Sequence, residues 1–240
     1  MRAALKAPAP GRVWRLARSE IVPLVLLTLL AGGIWLFAAL ADEVMEGGTH
    51  GLDTRILLAL RNPVDRALPW GPPWLQETGR DFTALGGVGV LSLVTLAVVG
   101  FLLLDGKRRA AALVAVAVGG GLVLATLLKH GFDRPRPELV PHGAYVYTSS
   151  FPSGHSMLSA VAYLTLGALL ARLQPRRELK IFLIGVAMLL SFLVGVSRVY
   201  LGVHWPTDVL AGWTAGGIWA VICWLVAGSL QRRGEVEKQA

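Results

Sequence analysis

The chain has 240 residues, of which 54% are hydrophobic and only 16% charged, with a mean hydropathy of +0.59. A soluble domain averages nearer about a quarter charged, so the composition excludes an ordinary soluble globule and indicates an integral membrane protein. The formal net charge of +8 is spread over short segments rather than gathered on one face or tail, which argues against a nucleic-acid partner.

In chain order, a window of about 20 residues selects a first span at 21–41, whose apolar run is too long for a signal peptide. Residues 42–83 form the longest non-spanning stretch, broken by Asn62-Pro63 and Gly71-Pro72-Pro73. Between the breaks, Leu52, Ile56, Leu57, Leu60 and Leu68 leave room for short amphipathic helices, and Trp70 and Trp74 suit a membrane interface. A surface loop and a lipid-entry element both fit this stretch. Further spans follow at 84–104, 110–128, 157–173, 181–197 and 209–229. The expectation is an all-α, polytopic six-helix membrane bundle forming one domain over 21–229, with tails at 1–20 and 230–240.

Basic residues alternate between the two sides of these spans. One side, which includes both termini, carries 15 of the 23 Lys and Arg. The opposite side carries Arg55, Arg61, Arg66, Arg80, Lys129, Arg134, Arg136 and Arg198. An excess of Lys and Arg marks the cytoplasmic side, so the termini are expected in the cytoplasm. Short basic loops and the lack of an Asn-x-Ser/Thr triplet are compatible with a bacterial inner membrane. The single cysteine, Cys223, rules out an intrachain disulfide, and the five histidines lack the neighbours of a zinc site.

Three clusters lie on the side poor in positive charge. The first ends the third span with Lys129 and continues through Arg134-Pro135-Arg136-Pro137. Lysine is a point cation and arginine a planar fork, so together they can surround a phosphoryl group, although a basic loop holding lipid headgroups has the same look. The second, Pro152-Ser153-Gly154-His155, opens the fourth span. Serine is a good N-cap, glycine permits close approach, and a helix N-terminus attracts anions; an ordinary helix start with an interfacial histidine is the plainer reading. The third runs from Ser197-Arg198 to His204 and on to Asp208 at the start of the sixth span. Asp208 is close enough in sequence to bond one imidazole nitrogen of His204 and leave the other free to attack. Plainer roles are an interfacial anchor for Trp205 and a helix cap for Asp208. Ionisable residues at a membrane boundary are costly, and their convergence needs a functional reason.

Lys129-x6-Arg136-Pro137, Pro152-Ser153-Gly154-His155 and Ser197-Arg198-x5-His204-x3-Asp208 together resemble the three-part signature of the type 2 phosphatidic acid phosphatase superfamily. The resemblance implies a membrane lipid phosphatase with no metal or cofactor. It makes His204 the nucleophile, forming a phosphohistidine, Asp208 its orienter and His155 the general acid and then base. Lys129, Arg136 and Arg198 would clamp the phosphoryl oxygens, assisted by Ser153 and the Gly154 N–H. Arg134, outside the signature, is placed to meet a second phosphate of a diphosphate. Substrates similar to family ones are undecaprenyl diphosphate, favoured for an outward-facing site, then phosphatidylglycerophosphate, phosphatidate and lipid A phosphate. The rival from another class is a non-catalytic lipid-phosphate binder or transporter, which needs the cations but not an oriented histidine pair. A vanadate-dependent peroxidase is a further rival, disfavoured because those relatives are soluble.

Overall fold

The computed structural model describes residues 10–138 and 148–232, and builds them into eight helices: α1 (Pro10–Met45), α2 (His50–Ala59), α3 (Pro73–Leu85), α4 (Val88–Leu104), α5 (Arg108–Gly131), α6 (Gly154–Leu173), α7 (Arg177–Tyr200) and α8 (Pro206–Arg232). Three of them open on proline, whose fixed φ suits a first helical turn and whose missing N–H has no intrahelical partner there. Among the described residues there is no strand, only one isolated bridge between Arg61 and Pro69.

The spans are longer than the apolar windows alone. The stretches expected at 157–173 and 181–197 become α6 and α7, because flanking polar residues join the helices at both ends of α7 and at the start of α6. A 24-residue helix such as α5 or α7 is about 36 Å long, enough to cross the hydrocarbon and enter the headgroups. Five helices are long and apolar enough to cross a membrane, and α3 with α4 supplies the sixth crossing if that pair, bent by 48°, is one span. The expected span at 84–104 is therefore interrupted. Gly86 and Gly87 separate the amphipathic α3 from the wholly apolar α4.

Large apolar side chains point outward along the bundle, including Trp35, Leu93, Leu96, Phe101, Leu127, Phe182 and Met188. A water-soluble monomer does not display that much contiguous apolar surface. Polar groups lie inside instead: Asp53, Arg134, Ser150, Ser153, Ser156, His204 and Asp208 are all buried. Composition and burial together make this an integral membrane protein.

Helix α6 is the central element, packed against α5, α7 and α8. Gly212 and Gly216, one turn apart on α8, bring α8 backbone to backbone with α6. A Cβ at Gly212 would sit 2.6 Å from the Ser153 carbonyl oxygen, and one at Gly216 2.6 Å from that of Met157. Small residues four apart are how membrane helices approach this closely. Chain order then places the C-terminal ends of α5 and α7 and the N-terminal ends of α6 and α8 at one end of the bundle. Phe37, Phe132 and Phe151 pack edge-on or tilted with ring centroids 4.9–6.2 Å apart, which fastens the segment after α5 and the segment before α6 to α1.

Candidate active site

The three sequence clusters meet at that end. His204 lies in the short connection between α7 and α8 and is 1% exposed. Its Nδ1 is 3.3 Å from Oδ2 of Asp208 and 3.3 Å from Oγ of Ser150. Its Nε2 is 3.2 Å from Nη1 of Arg136. A guanidinium only donates, so Nε2 is the accepting, lone-pair nitrogen and Nδ1 carries the proton toward Asp208; this tautomer follows from the hydrogen-bond network. Burial pushes the His204 pKa down to about 3, with the Asp208 hydrogen bond and charge acting in the opposite direction and Arg198 and Arg136 adding to the fall. Burial therefore favours the neutral ring in the free protein, the form that keeps a lone pair on Nε2.

Asp208 is fully buried in the first turn of α8. Its Oδ2 accepts from the Ser150 hydroxyl and from the Trp205 backbone N–H at 2.9 Å. Its Oδ1 accepts from Nη1 of Arg134 at 2.6 Å. Its carbonyl receives the Ser153 N–H at 2.9 Å, which ties the start of α8 to the start of α6.

Around His204 stand three cations with no carboxylate of their own among the described residues. Lys129, at the end of α5, donates to the Ser149 carbonyl at 2.8 Å. Arg136 donates to the Val203 carbonyl at 2.9 Å as well as to His204. Burial pulls the Arg136 guanidinium below its ordinary value, and the Asp208 charge partly restores it. Arg198, in the last turn of α7, has a buried Nε with no hydrogen-bond partner. The three lie within electrostatic reach of one another. Holding like charges together at a low-dielectric boundary is unfavourable unless an anion joins them.

The side chain of His155, in the first turn of α6, makes no hydrogen bond to the described residues. It lies within electrostatic reach of Arg198, His204, Lys129 and Arg136. It rests against the α3–α4 corner, where glycine is required by space. A Cβ at Gly86 would fall 2.3 Å from Cγ1 of Val194 and 3.2 Å from the His155 carbonyl oxygen. The N–H groups of Gly154, His155 and Ser156 have no carbonyl within the helix to receive them. Gly154 also makes room for the lysine stem, since a Cβ there would be 3.3 Å from Cε of Lys129.

Two sequence expectations change. Ser153 occupies the N-cap position, but its side chain makes no capping bond; it is fully buried and accepts from the Ser156 hydroxyl at 3.0 Å. Arg134 does not reach toward a second phosphate. Its guanidinium is buried behind Asp208, with Nη1 on Asp208 and on the Thr207 hydroxyl at 2.8 Å, and Nη2 on Asp53 at 2.7 Å and on the Thr49 hydroxyl at 3.3 Å. The guanidinium also lies over the Trp205 ring, 5.5 Å from its centroid. Two buried carboxylates outbid a solvent-side ligand for this cation.

Sequence reasoning missed Ser150, Asp53 and Thr207. Asp53 had one local sign, because it shares the buried face of α2 with Leu57, four residues on. A carboxylate on the apolar stripe of an amphipathic helix needs a partner. Among the described residues no three His, Cys, Asp or Glu side chains converge as metal ligands.

The chain is similar to known proteins. The PAP2 superfamily family model matches residues 92–232. Phosphatidylglycerophosphatase B of Bacillus subtilis is 33% identical over 147 residues, covering 60% of this chain and 71% of the relative. A putative undecaprenyl-diphosphatase of Escherichia coli is 32% identical over 173 residues, covering 68% and 80%. The crystal structure of the transmembrane PAP2 type phosphatidylglycerolphosphate phosphatase from Bacillus subtilis superposes with a TM-score of 0.70 at 26% identity, covering 86% of this chain and 98% of that one.

Proposed function

From the premise that this chain belongs to the PAP2 superfamily and is a membrane phosphatase acting on lipid phosphate, we propose that it works by two in-line displacements through a phosphohistidine on His204. The observation that carries this reading is the accepting Nε2 of an oriented His204 against Arg136, with Lys129 and Arg198 within electrostatic reach of that arginine and no ion pair to any of the three among the described residues. An entering phosphoryl group takes over the Arg136 donor that Nε2 now receives. It also draws on Lys129, Arg198 and the first N–H groups of α6.

In the first step the Nε2 lone pair attacks phosphorus while the bond to the lipid oxygen breaks. The leaving oxygen takes a proton from His155, which the bound phosphate's charge holds protonated in the complex. The imidazolium left on His204 is stabilised through its Nδ1–H by Asp208. In the second step neutral His155 removes a proton from water as the water oxygen attacks phosphorus and the P–N bond breaks. Phosphate leaves, and His155 is again protonated. Phosphoryl transfer needs positioning and charge stabilisation above all, and three fixed cations supply both. EDTA is therefore expected to leave turnover intact; turnover lost to EDTA and restored by Mg²⁺ would overturn the cation clamp.

The substrate we favour is undecaprenyl diphosphate, with phosphatidylglycerophosphate or phosphatidate next; the first two match activities named for similar proteins. With Arg134 sequestered, the clamp suits a single terminal phosphoryl group, whether it belongs to a monoester or a diphosphate. The distribution of basic residues favours cytoplasmic termini and a site facing the periplasm or exterior, in a bacterial inner membrane. A binder or transporter would have no use for a tautomer fixed by Asp208. Phosphate release from a panel of purified lipid phosphates and diphosphates tests the reading. Wild-type protein should release phosphate and His204→Ala should not, while still folding and inserting. Equal release by both would remove His204 from the reaction.

A further inference from the structure

We propose that Asp53, on the short helix α2 outside the three clusters, is a positioning residue that acts on the nucleophile through Arg134 and Asp208. The inference rests on the reading of His204 as nucleophile.

Asp53 is 81 residues before Arg134 in the chain and fully buried. It holds Asp208 in two ways. Through Arg134, its Oδ2 fixes the guanidinium whose other arm binds Oδ1 of Asp208, at 2.7 Å and 2.6 Å respectively. Through Thr207, the residue before Asp208, it accepts the backbone N–H at 3.0 Å on Oδ1 and the hydroxyl at 2.6 Å on Oδ2. With Oδ1 of Asp208 pinned, the carboxylate cannot turn, and Oδ2 is left facing His204.

Charge sharpens the role. Asp53, Arg134 and Asp208 sum to one negative charge in a buried volume. That is what an imidazolium forming on His204 requires. Without Asp53 the sum is zero, and Arg134 draws the Asp208 charge away from the ring as the positive charge develops there. No atom of Asp53 is placed to touch the phosphoryl group, so its effect belongs to the chemical steps and not to substrate affinity. Helix α2 is then part of the catalytic support and not only a connector between α1 and α3.

The test is a double-mutant cycle with Asp53→Asn and Asp208→Asn, reading kcat and KM separately on one lipid phosphate. Asp53→Asn is expected to lower kcat roughly ten- to a hundred-fold, the loss typical of a residue that supports a functional side chain through a second group, with KM unchanged. In the Asp208→Asn background the same change should have almost no further effect, because the path through Asp208 is already gone. Equal loss in both backgrounds, or a loss carried by KM, would reduce Asp53 to a brace for the fold and overturn the inference. If Asp208→Asn alone keeps wild-type turnover, the nucleophile reading itself falls. Should Asp53→Asn not accumulate as folded protein, Thr207→Val and Thr207→Ser carry the same test. A lowered kcat in the valine variant with recovery in the serine variant supports the inference, and wild-type kcat in both overturns it.

Discussion

Arg134 and Arg136 stand two residues apart in one loop and have opposite surroundings. Arg134 is enclosed by Asp53 and Asp208 and spends both arms on them. Arg136 meets carbonyls, a threonine hydroxyl and a histidine, with Lys129 and Arg198 nearby and no ion pair among the described residues. On the proposed mechanism the difference separates scaffold from site. A buried cation neutralised by the protein holds elements together. A half-buried cation left without a counter-charge is held ready for an anion that arrives from outside. Residue type and sequence position alone do not distinguish the two.

The largest effect should come from the group at which both regions meet. His204→Ala should lower turnover roughly ten-thousand-fold or more while the protein still folds and inserts. Survival of wild-type turnover would detach the clamp from catalysis. Next, Arg198→Met should lower turnover about a hundred- to a thousand-fold, as for loss of one preorganised charge-stabilising group, and leave stability equal or raised, since it removes a cation that lacks a counter-ion. Arg134→Met should do the reverse in stability. It strands two buried carboxylates and should cost about 3–5 kcal/mol. Equal stability losses in the two arginine variants would erase the comparison.

A smaller effect concerns pH. The folded His204 pKa lies well below the unfolded value, at about 3, so the unfolded chain binds the extra proton first. Stability is then fully present above about pH 6.5 and is lost as pH falls from there toward the folded value. His204→Gln should unfold with a shallower acid limb between pH 6.5 and pH 4 than wild type, measured by melting temperature against pH. Identical limbs would show that burial of a neutral imidazole is not what makes the protein acid-sensitive.

Much of this was legible in the sequence because it is local. The spacing from His204 to Asp208 is one helical turn, and the structure puts that carboxylate on Nδ1 of that ring. Apolar runs located the spans, and alternation of helix ends placed Lys129, His155, Arg198 and His204 together. What was not legible depends on long-range pairing. Asp53 meets Arg134 and Thr207 only after α2 docks on α8, and no periodicity within α2 announces a partner 154 residues away. The placement of Arg134 failed for the same reason: the loop sequence shows a cation and a proline, not the carboxylates that fold over it. The break at Gly86–Gly87 was hidden inside an apolar window, because hydropathy does not report the room that Val194 and His155 require.

The most direct test is to trap the intermediate. Protein mixed with a ³²P-labelled lipid phosphate, quenched in alkali within one turnover and digested, should yield the label on the peptide containing His204 as an acid-labile, alkali-stable phosphohistidine. The label should be absent from His204→Ala and should accumulate when His155 is replaced by Gln and the substrate is a lipid diphosphate labelled in its terminal phosphate, since a phosphate leaving group depends less on protonation than an alkoxide does while water activation fails. Turnover of wild type with no label on His204, or with label on another residue, would contradict the account.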